Sequence, residues 1–410
     1  MATQLPKTGT PREALLAEMR QRKSQDADWK GGRTFSLVYP AGEDVDRMLA
    51  DANELYLYEN ALNPFRFPSL RQMEVEVVEM TAGLLNAPPE AGGCMTSGGT
   101  ESILLAVKTA RDRAAAERGV TRPQLLAPVS AHPAFAKAAA YLGLEHVQIP
   151  LGADTRADVD AAARLVTDQT ALIVGSAPNY PFGGVDPIAE LAALASERGI
   201  SFHTDACLGG FLLPFLERLG EPVPPFDFRV PGVTTLSADV HKYGYATKGA
   251  SVILHRQADH LKKYQLFVYD RWPGGLYGSF AMAGARPAAP IAAAWAILRH
   301  LGEEGYLAKT RQLLGAVRRY REGIEAIGDL HVLGQPVMSV FAFTSDRHDP
   351  FAIGDAMDQR GWCLDRQKGP DALHLMLSPR HAEVVEDFLA DLRWAVANPA
   401  ASRTSEARYS

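Results

Sequence analysis

The run Ser237-Ala-Asp-Val-His-Lys-Tyr-Gly-Tyr-Ala-Thr-Lys-Gly249 sets Lys242 among glycines and tyrosines, directly behind an apolar strand-like stretch from Gly232 to Leu236. A lysine so placed loses its proton readily when desolvated or set beside another cation, and the free amine attacks an aldehyde to form a Schiff base. Lys248 is a candidate for that second cation. Taken alone, the segment also fits a solvated loop lysine.

Three other segments carry chemistry. Cys94-Met-Thr-Ser-Gly-Gly-Thr-Glu-Ser102 runs straight into a helical pattern. A small-residue turn that opens a helix presents free backbone N–H groups and a positive dipole end, the elements of a phosphate site. Ser97, Gly98, Gly99 and Thr100 are the candidate ligands; a plain glycine-rich helix cap is the alternative, and neither a P-loop nor a dinucleotide fingerprint is present. Asp205 falls where the apolar run Ile200–His203 ends. A carboxylate buried there needs a positive partner, which a protonated pyridine nitrogen supplies, or it caps the next turn through the backbone. His132 follows the strand-like run Leu125–Val129. It is placed either to stack on an aromatic ring and handle a proton, or to serve the start of the helix that Pro133 opens.

The elements that must position these residues are those of an α/β protein. Helical patterns at Leu70–Leu85, 100–118, Pro133–Leu142 and Pro187–Arg198 alternate with strand-like runs at Leu125–Val129, His146–Pro150, Ala171–Ser176, Ile200–His203, Val233–Leu236 and Ser251–Leu254. Strands alternating with helices imply a large, doubly wound, mostly parallel sheet, with ligands gathered at the carboxyl ends of its strands. After about residue 285 the pattern changes to a long helix over 288–325, strands at Val337–Thr344 and Ala372–Leu377 and a last helix near 380–396, a smaller α+β domain. The expected divisions are 1–69, a helical and extended segment starting with an amphipathic helix over 11–29 and serving a partner subunit; 70–285, the large domain; 286–397, the small domain; and 398–410, a disordered tail.

Composition narrows the function. The 410 residues, 47% hydrophobic and 22% charged, suffice for a large core. A net charge of −6 with no basic block argues against nucleic acid or a membrane surface as the main partner. Cys94, Cys207 and Cys363 are too few and too scattered for a disulfide framework or a zinc site, so no metal is expected and a reducing compartment, the cytoplasm, is. Neither a signal pattern nor a run of about 18 apolar residues is present, and a soluble protein without a membrane span is expected.

Taken in chain order, a phosphate-binding helix start, a stacking histidine, a strand-end aspartate and a reactive lysine are the kit for pyridoxal 5'-phosphate. From about Trp29 to about Leu392 the chain resembles the fold-type-I pyridoxal-phosphate enzymes of the group II decarboxylase kind, and within them the sphingosine-1-phosphate lyases. The resemblance is carried by Thr-Ser-Gly-Gly-Thr-Glu-Ser-Ile-Leu at 96–104, His-Thr-Asp-Ala-Cys-Leu-Gly-Gly-Phe at 203–211, Pro-Phe-Asp-Phe-Arg-Val-Pro-Gly-Val-Thr at 225–234 and Asp-Val-His-Lys-Tyr-Gly-Tyr-Ala-Thr-Lys-Gly at 239–249. It implies that Lys242 holds the cofactor, that Lys248 serves the substrate side, and that Ser176 and His241 join the cofactor site. It further implies an obligate homodimer with shared active sites, in which Tyr39 reaches in from the other subunit and the turn Gly274–Ser279, through Gly275 and Ser279, closes the phosphate site.

In the segment Asn60-Ala-Leu-Asn-Pro-Phe-Arg-Phe-Pro68 the chain keeps the family's Asn60 but has Asn63 where the lyases carry a histidine expected to contact the substrate's phosphate. A neutral amide cannot give the charge-assisted contact of an imidazolium. Arg66, three residues on, is the candidate replacement, and Arg286 falls on a matching arginine of the family near the substrate pocket. The membrane-anchoring segment of the eukaryotic lyases has no counterpart here. The resemblance thus implies a carbon–carbon lyase acting on a phosphorylated 2-amino-3-hydroxy compound. Amino-acid decarboxylation and aldol cleavage of a β-hydroxy amino acid are the alternatives on the same scaffold. A cofactor-free scaffold protein is a further one, disfavoured by the presence of Lys242.

Overall fold

In this computed structural model the described residues are 4–400 and 406–407, so most of the tail expected to be disordered lies outside them. Helices α1 (Arg12–Lys23), α2 (Glu43–Leu55) and α3 (Pro68–Leu84) precede β1 (Gly92–Thr96). Then come α4 (Gly99–Arg118), β2 (Gln124–Pro128), α5 (Ala134–Leu142), β3 (Glu145–Ile149), α6 (Val159–Leu165), β4 (Thr170–Ser176), α7 (Ile188–Glu197) and β5 (Ser201–Asp205). The helix α8 (Leu213–Arg218) leads to β6 (Thr235–Ala238) and β7 (Ser251–His255).

These seven strands form one sheet in the order β1-β7-β6-β5-β4-β2-β3, in which β7 alone runs against the rest. Strands covered on both faces carry continuous apolar or small residues instead of alternation, and every residue of β4 and β5 is buried. The carboxyl ends of β1, β2, β4, β5 and β6 fall at Thr96, Pro128, Ser176, Asp205 and Ala238. Each chemistry-bearing segment read from the sequence therefore starts at one rim of the sheet, where open α/β sheets bind ligands.

A short turn α9 (Ala258–His260) precedes a hairpin of β8 (Phe267–Tyr269) and β9 (Tyr277–Ser279). The long helix α10 (Ala289–Glu325) is broken at Gly302, whose φ of 55° is cheap only for glycine. An antiparallel sheet β10-β11-β13-β12 follows, from β10 (Leu330–Val332), β11 (Val340–Ser345), β12 (Asp365–Gln367) and β13 (Ala372–Met376), flanked by α11 (Pro350–Asp358) and α12 (Val385–Ala397).

The observed elements differ from the expected ones at several points. α1 stops at Lys23, short of the expected 29, and buries none of its residues. The last helix is split, a 3-10 turn over Pro379–Glu383 preceding α12. The N-terminal segment joins the small sheet: the N–H of Phe35 donates to the carbonyl of Cys363, and the N–H of Met376 donates to that of Phe35. Among the described residues no helix is long and apolar enough to cross a membrane.

Candidate active site

The phosphate turn is built by β1 stopping at Thr96 and α4 starting at Gly99. The first N–H groups of a helix have no acceptor inside it, so those of Gly98, Gly99 and Thr100 are presented outward. A Cβ on Gly99 would lie 2.8 Å from Asp239 Oδ2 and 2.9 Å from Cys207 Sγ, so the backbone must stay bare there. Ser97 lines the cavity and also anchors the turn. Its N–H and hydroxyl both donate to Glu101 Oε2, at 2.7 and 2.6 Å, while Glu101 Oε1 accepts from the N–H of Met282 at 2.7 Å. Glu101 thus clamps the turn to the loop after β9.

Lys242 follows β6 in a helical turn, with its N–H on the carbonyl of Asp239. Its Nζ is 3.0 Å from Asp239 Oδ2, and His241 Nε2 lies 3.6 Å from the same oxygen. Burial works to raise the Asp239 carboxyl, but the charge of Lys242 prevails and holds it below the ordinary carboxylate value. His241 accepts from the N–H of Ala250 through Nδ1 at 3.2 Å, and burial pushes its imidazole down to about 4. A neutral His241 therefore orients the lysine turn without adding charge.

Lys242, His241 and Asp239 line one cavity of about 310 Å³ together with Ser97, Gly98, Gly99, Thr100, His132 and Cys207. That volume is within the range of small-molecule sites. A neighbouring cavity of about 400 Å³ shares His132 and none of the other expected groups. His132 serves the start of α5, its Nδ1 accepting from the N–H of Ala134 at 3.1 Å, and its side chain also lines the cavity. Burial lowers its pKa, with Asp205 opposing.

Asp205 sits behind the cavity lining, 7% exposed. Its Oδ1 accepts from the N–H of Cys207 at 3.1 Å and the hydroxyl of Ser237 at 3.3 Å, while no described residue donates to Oδ2. A buried carboxylate with one oxygen held and the other uncommitted fits a cationic ring nitrogen. Ser176 pairs with Asp205 in register across β4 and β5, its N–H on Asp186 Oδ2, but it does not line the cavity.

On the substrate side, Lys248 Nζ lies 4.6 Å from the centroid of the Tyr39 ring and 3.3 Å from the carbonyl of His241. The residue as a whole is exposed, yet its amine is packed closely enough that desolvation, aided by the charge of Lys242, lowers it to about 8. Tyr39 packs edge-on against Tyr243 and donates to Met376 Sδ. Within one chain the Tyr39 ring meets Lys248.

The other expected substrate contacts are not brought to the cavity within one chain. Asn60 Oδ1 accepts from the N–H groups of Leu62 and Arg286, a structural role. Asn63 Oδ1 accepts from the N–H groups of Phe65 and Arg66, on an exposed segment that also carries Arg66. Arg286 holds both oxygens of Glu74, at 2.6 and 3.0 Å. Gly275 lies on the hairpin turn with φ 99°, and the Ser279 hydroxyl donates to the carbonyls of Ala281 and Ala283; neither lines the cavity.

Sequence reasoning assigned no role to Asp239, Glu101 or Cys207. Asp239 stood three residues before Lys242, one helical turn away and able to meet it, which was the available signal. Cys207 is buried with its thiol pushed up by that burial, so it walls the site and is no nucleophile.

The pyridoxal-dependent decarboxylase conserved domain matches residues 2–345. The sphingosine-1-phosphate lyase of Arabidopsis thaliana is 44% identical over 397 residues, 94% of this chain and 73% of that protein. A probable L-tyrosine/L-aspartate decarboxylase of Methanothermobacter thermautotrophicus is 32% identical, over 87% of this chain and 98% of its own length. The solved sphingosine-1-phosphate lyase of Burkholderia pseudomallei is 41% identical with a TM-score of 0.94, covering 97% of this chain and 93% of that one. A match of this depth along nearly the whole chain leaves one placement: the protein belongs to the pyridoxal-dependent decarboxylase family, on its sphingosine-1-phosphate lyase branch.

Proposed function

We propose that the chain is a pyridoxal-phosphate-dependent lyase that cleaves the Cα–Cβ bond of a phosphorylated 2-amino-3-hydroxy compound to an aldehyde and an amine phosphate. The observation that carries this is the single cavity into which Lys242, His132 and the start of α4 all project, in a chain 44% identical to a lyase of that name. When bound, the cofactor supplies an electron sink for the pair released as the bond breaks. The N–H groups of Gly98, Gly99 and Thr100 would hold its phosphate, and His132 would support its ring. Asp205 would face its ring nitrogen and favour the positive form there, and Lys242 would be the amine that holds its aldehyde group. Asp239 holds Lys242 in place at 3.0 Å.

Lys248 and Arg66 are the cations we assign to the substrate's phosphate, with Tyr39 fixing Lys248. Arg66 is on an exposed segment with Leu57 65%, Tyr58 92% and Phe65 85% exposed, and the hairpin region exposes Trp272 56% and Leu276 76%. Apolar surface of that kind marks an interface. A second copy of the chain is the occupant we infer, which makes the enzyme a homodimer whose sites these segments complete. Sedimentation equilibrium tests this. The cytoplasm is the compartment we propose, in keeping with unpaired Cys94, Cys207 and Cys363.

Decarboxylation is the second reading, favoured by the 32% identity to a decarboxylase. Product analysis separates the two. Incubation with a phosphorylated long-chain base is expected to yield a fatty aldehyde and phosphoethanolamine. Carbon dioxide from an amino acid, with no aldehyde from the base, transfers the assignment to decarboxylase.

A further inference from the structure

Two adjacent strands carry a zigzag of polar side chains that ends on Asp205. In β5 and β6, His203 stands opposite Thr235 and Asp205 opposite Ser237, and residues two apart in a strand share a face. His203 Nδ1 lies 2.9 Å from Thr235 Oγ1, His203 Nε2 lies 3.1 Å from Ser237 Oγ, and Ser237 Oγ lies 3.3 Å from Asp205 Oδ1. The path is dry: His203 and Ser237 are 0% exposed, Thr235 5% and Asp205 7%. The edge of Phe135 closes the side of the imidazole, with centroids 5.9 Å apart.

The direction of each hydrogen follows from the carboxylate end. An ionised carboxylate only accepts, so the Ser237 hydroxyl donates to Asp205. Its hydrogen spent, Ser237 Oγ accepts from His203 Nε2–H and from the thiol of Cys207, 3.2 Å away. Nδ1 of the neutral ring is then the acceptor for the Thr235 hydroxyl. One tautomer and one hydroxyl orientation satisfy all the groups.

We propose that His203, through Ser237, is a positioning residue that keeps Asp205 ionised toward the cofactor ring. The proposal rests on the pyridoxal-phosphate reading of the cavity. Hydrogen bonds donated to a carboxylate favour its charged form, and a buried chain of them polarises cumulatively. Without the Ser237 donor the carboxylate of Asp205 loses a hydrogen bond that favours its charged form, and the proton on the ring nitrogen would be held less firmly. A buried polar chain that specified only the fold would leave that proton where it was.

The test uses holoenzyme reconstituted with pyridoxal phosphate carrying ¹⁵N in its ring. In the unsubstituted protein the ring nitrogen is expected in the protonated range. In His203→Leu and Ser237→Ala it is expected to move toward unprotonated pyridine, with kcat falling roughly tenfold at little changed KM, the size expected for one hydrogen bond to a charged group. His203→Gln, which keeps an N–H donor, is expected to restore the shift. A ring nitrogen that stays protonated in both His203→Leu and Ser237→Ala overturns the relay while leaving the cofactor reading intact. Failure of the unsubstituted protein to bind the cofactor overturns the reading itself. If His203→Leu does not fold, Ser237→Ala carries the same decision.

Discussion

Lys248 holds its ammonium over the ring of Tyr39, 4.6 Å from the centroid, in the same turn-rich stretch that presents Lys242. The cation–π contact and the carbonyl of His241 retain an amine that burial and Lys242 both work to deprotonate. In cofactor-free protein its titration, followed by ¹⁵N NMR of the lysine amine, is expected near 8, and to rise in Lys242→Ala as a like charge is removed. The folded value lies below the unfolded value of 10.5, so the unfolded chain binds more protons between the two. Stability contributed through this group therefore rises as pH rises from about 8 toward 10.5, and Lys248→Met flattens that rise in melting curves. A midpoint left at the ordinary lysine value counts against the arrangement.

Only one of the two lysines lines the cavity. Borohydride reduction of the yellow holoenzyme is expected to leave the pyridoxyl group on Lys242, as mapped by peptide mass spectrometry. Recovery of the label on Lys248 reverses the assignment.

Glu101 joins the phosphate turn to the loop after β9 through three short hydrogen bonds, to Ser97 N–H, Ser97 Oγ and Met282 N–H. Glu101→Ala is expected to cost about 2–3 kcal/mol in denaturant unfolding, because buried donors lose a charged acceptor. Amide exchange at Met282 should accelerate in the same variant. Unchanged exchange there would show that the loop is held by other contacts.

Arg286 and Glu74 are, respectively, 19% and 17% exposed in their side chains and bonded through both guanidinium nitrogens. Removing one member strands the other charge, so Arg286→Met should destabilise the fold by about 3 kcal/mol. Its KM for a phosphorylated substrate should stay near that of the parent in protein that remains folded. Arg66→Ala has the opposite signature, a KM increase with unchanged melting temperature.

Much of this site is written locally in the chain. His132 and Lys242 each follow a buried strand and Asp205 ends one, and those strand ends are legible from apolar runs stopped by polar residues, while the turn at 97–100 is legible from its own glycines. What escaped is what depends on distant pairing. β1 was hidden inside a stretch read as turn, since Gly92 and Gly93 carry no strand signal and the strand exists by pairing with β7. β12 is Asp-Arg-Gln, polar throughout, and is held by β13. α2 buries only Val45 and Ala52, too thin an apolar stripe to read. Nothing in the neighbourhood of Arg286 announces its partner Glu74, 212 residues earlier.

Phe35 is fully buried, with the rings of His381, Phe388, Tyr320 and Trp362 at 4.5, 5.1, 5.9 and 6.0 Å. The core beside the antiparallel sheet is therefore discontinuous in sequence: Phe35 at its centre comes from a segment about 300 residues before most of its neighbours. Emerging first in synthesis, Phe35 must wait until almost the whole polypeptide has been made before its pocket exists. A fragment of residues 286–397 would close around an aromatic-sized hole, and Phe35→Ala would impose a similar defect, about 3–5 kcal/mol, on the intact chain. Growth of the protein by appending or trimming segments is thereby constrained at residue 35 as firmly as in the sheet that this residue completes.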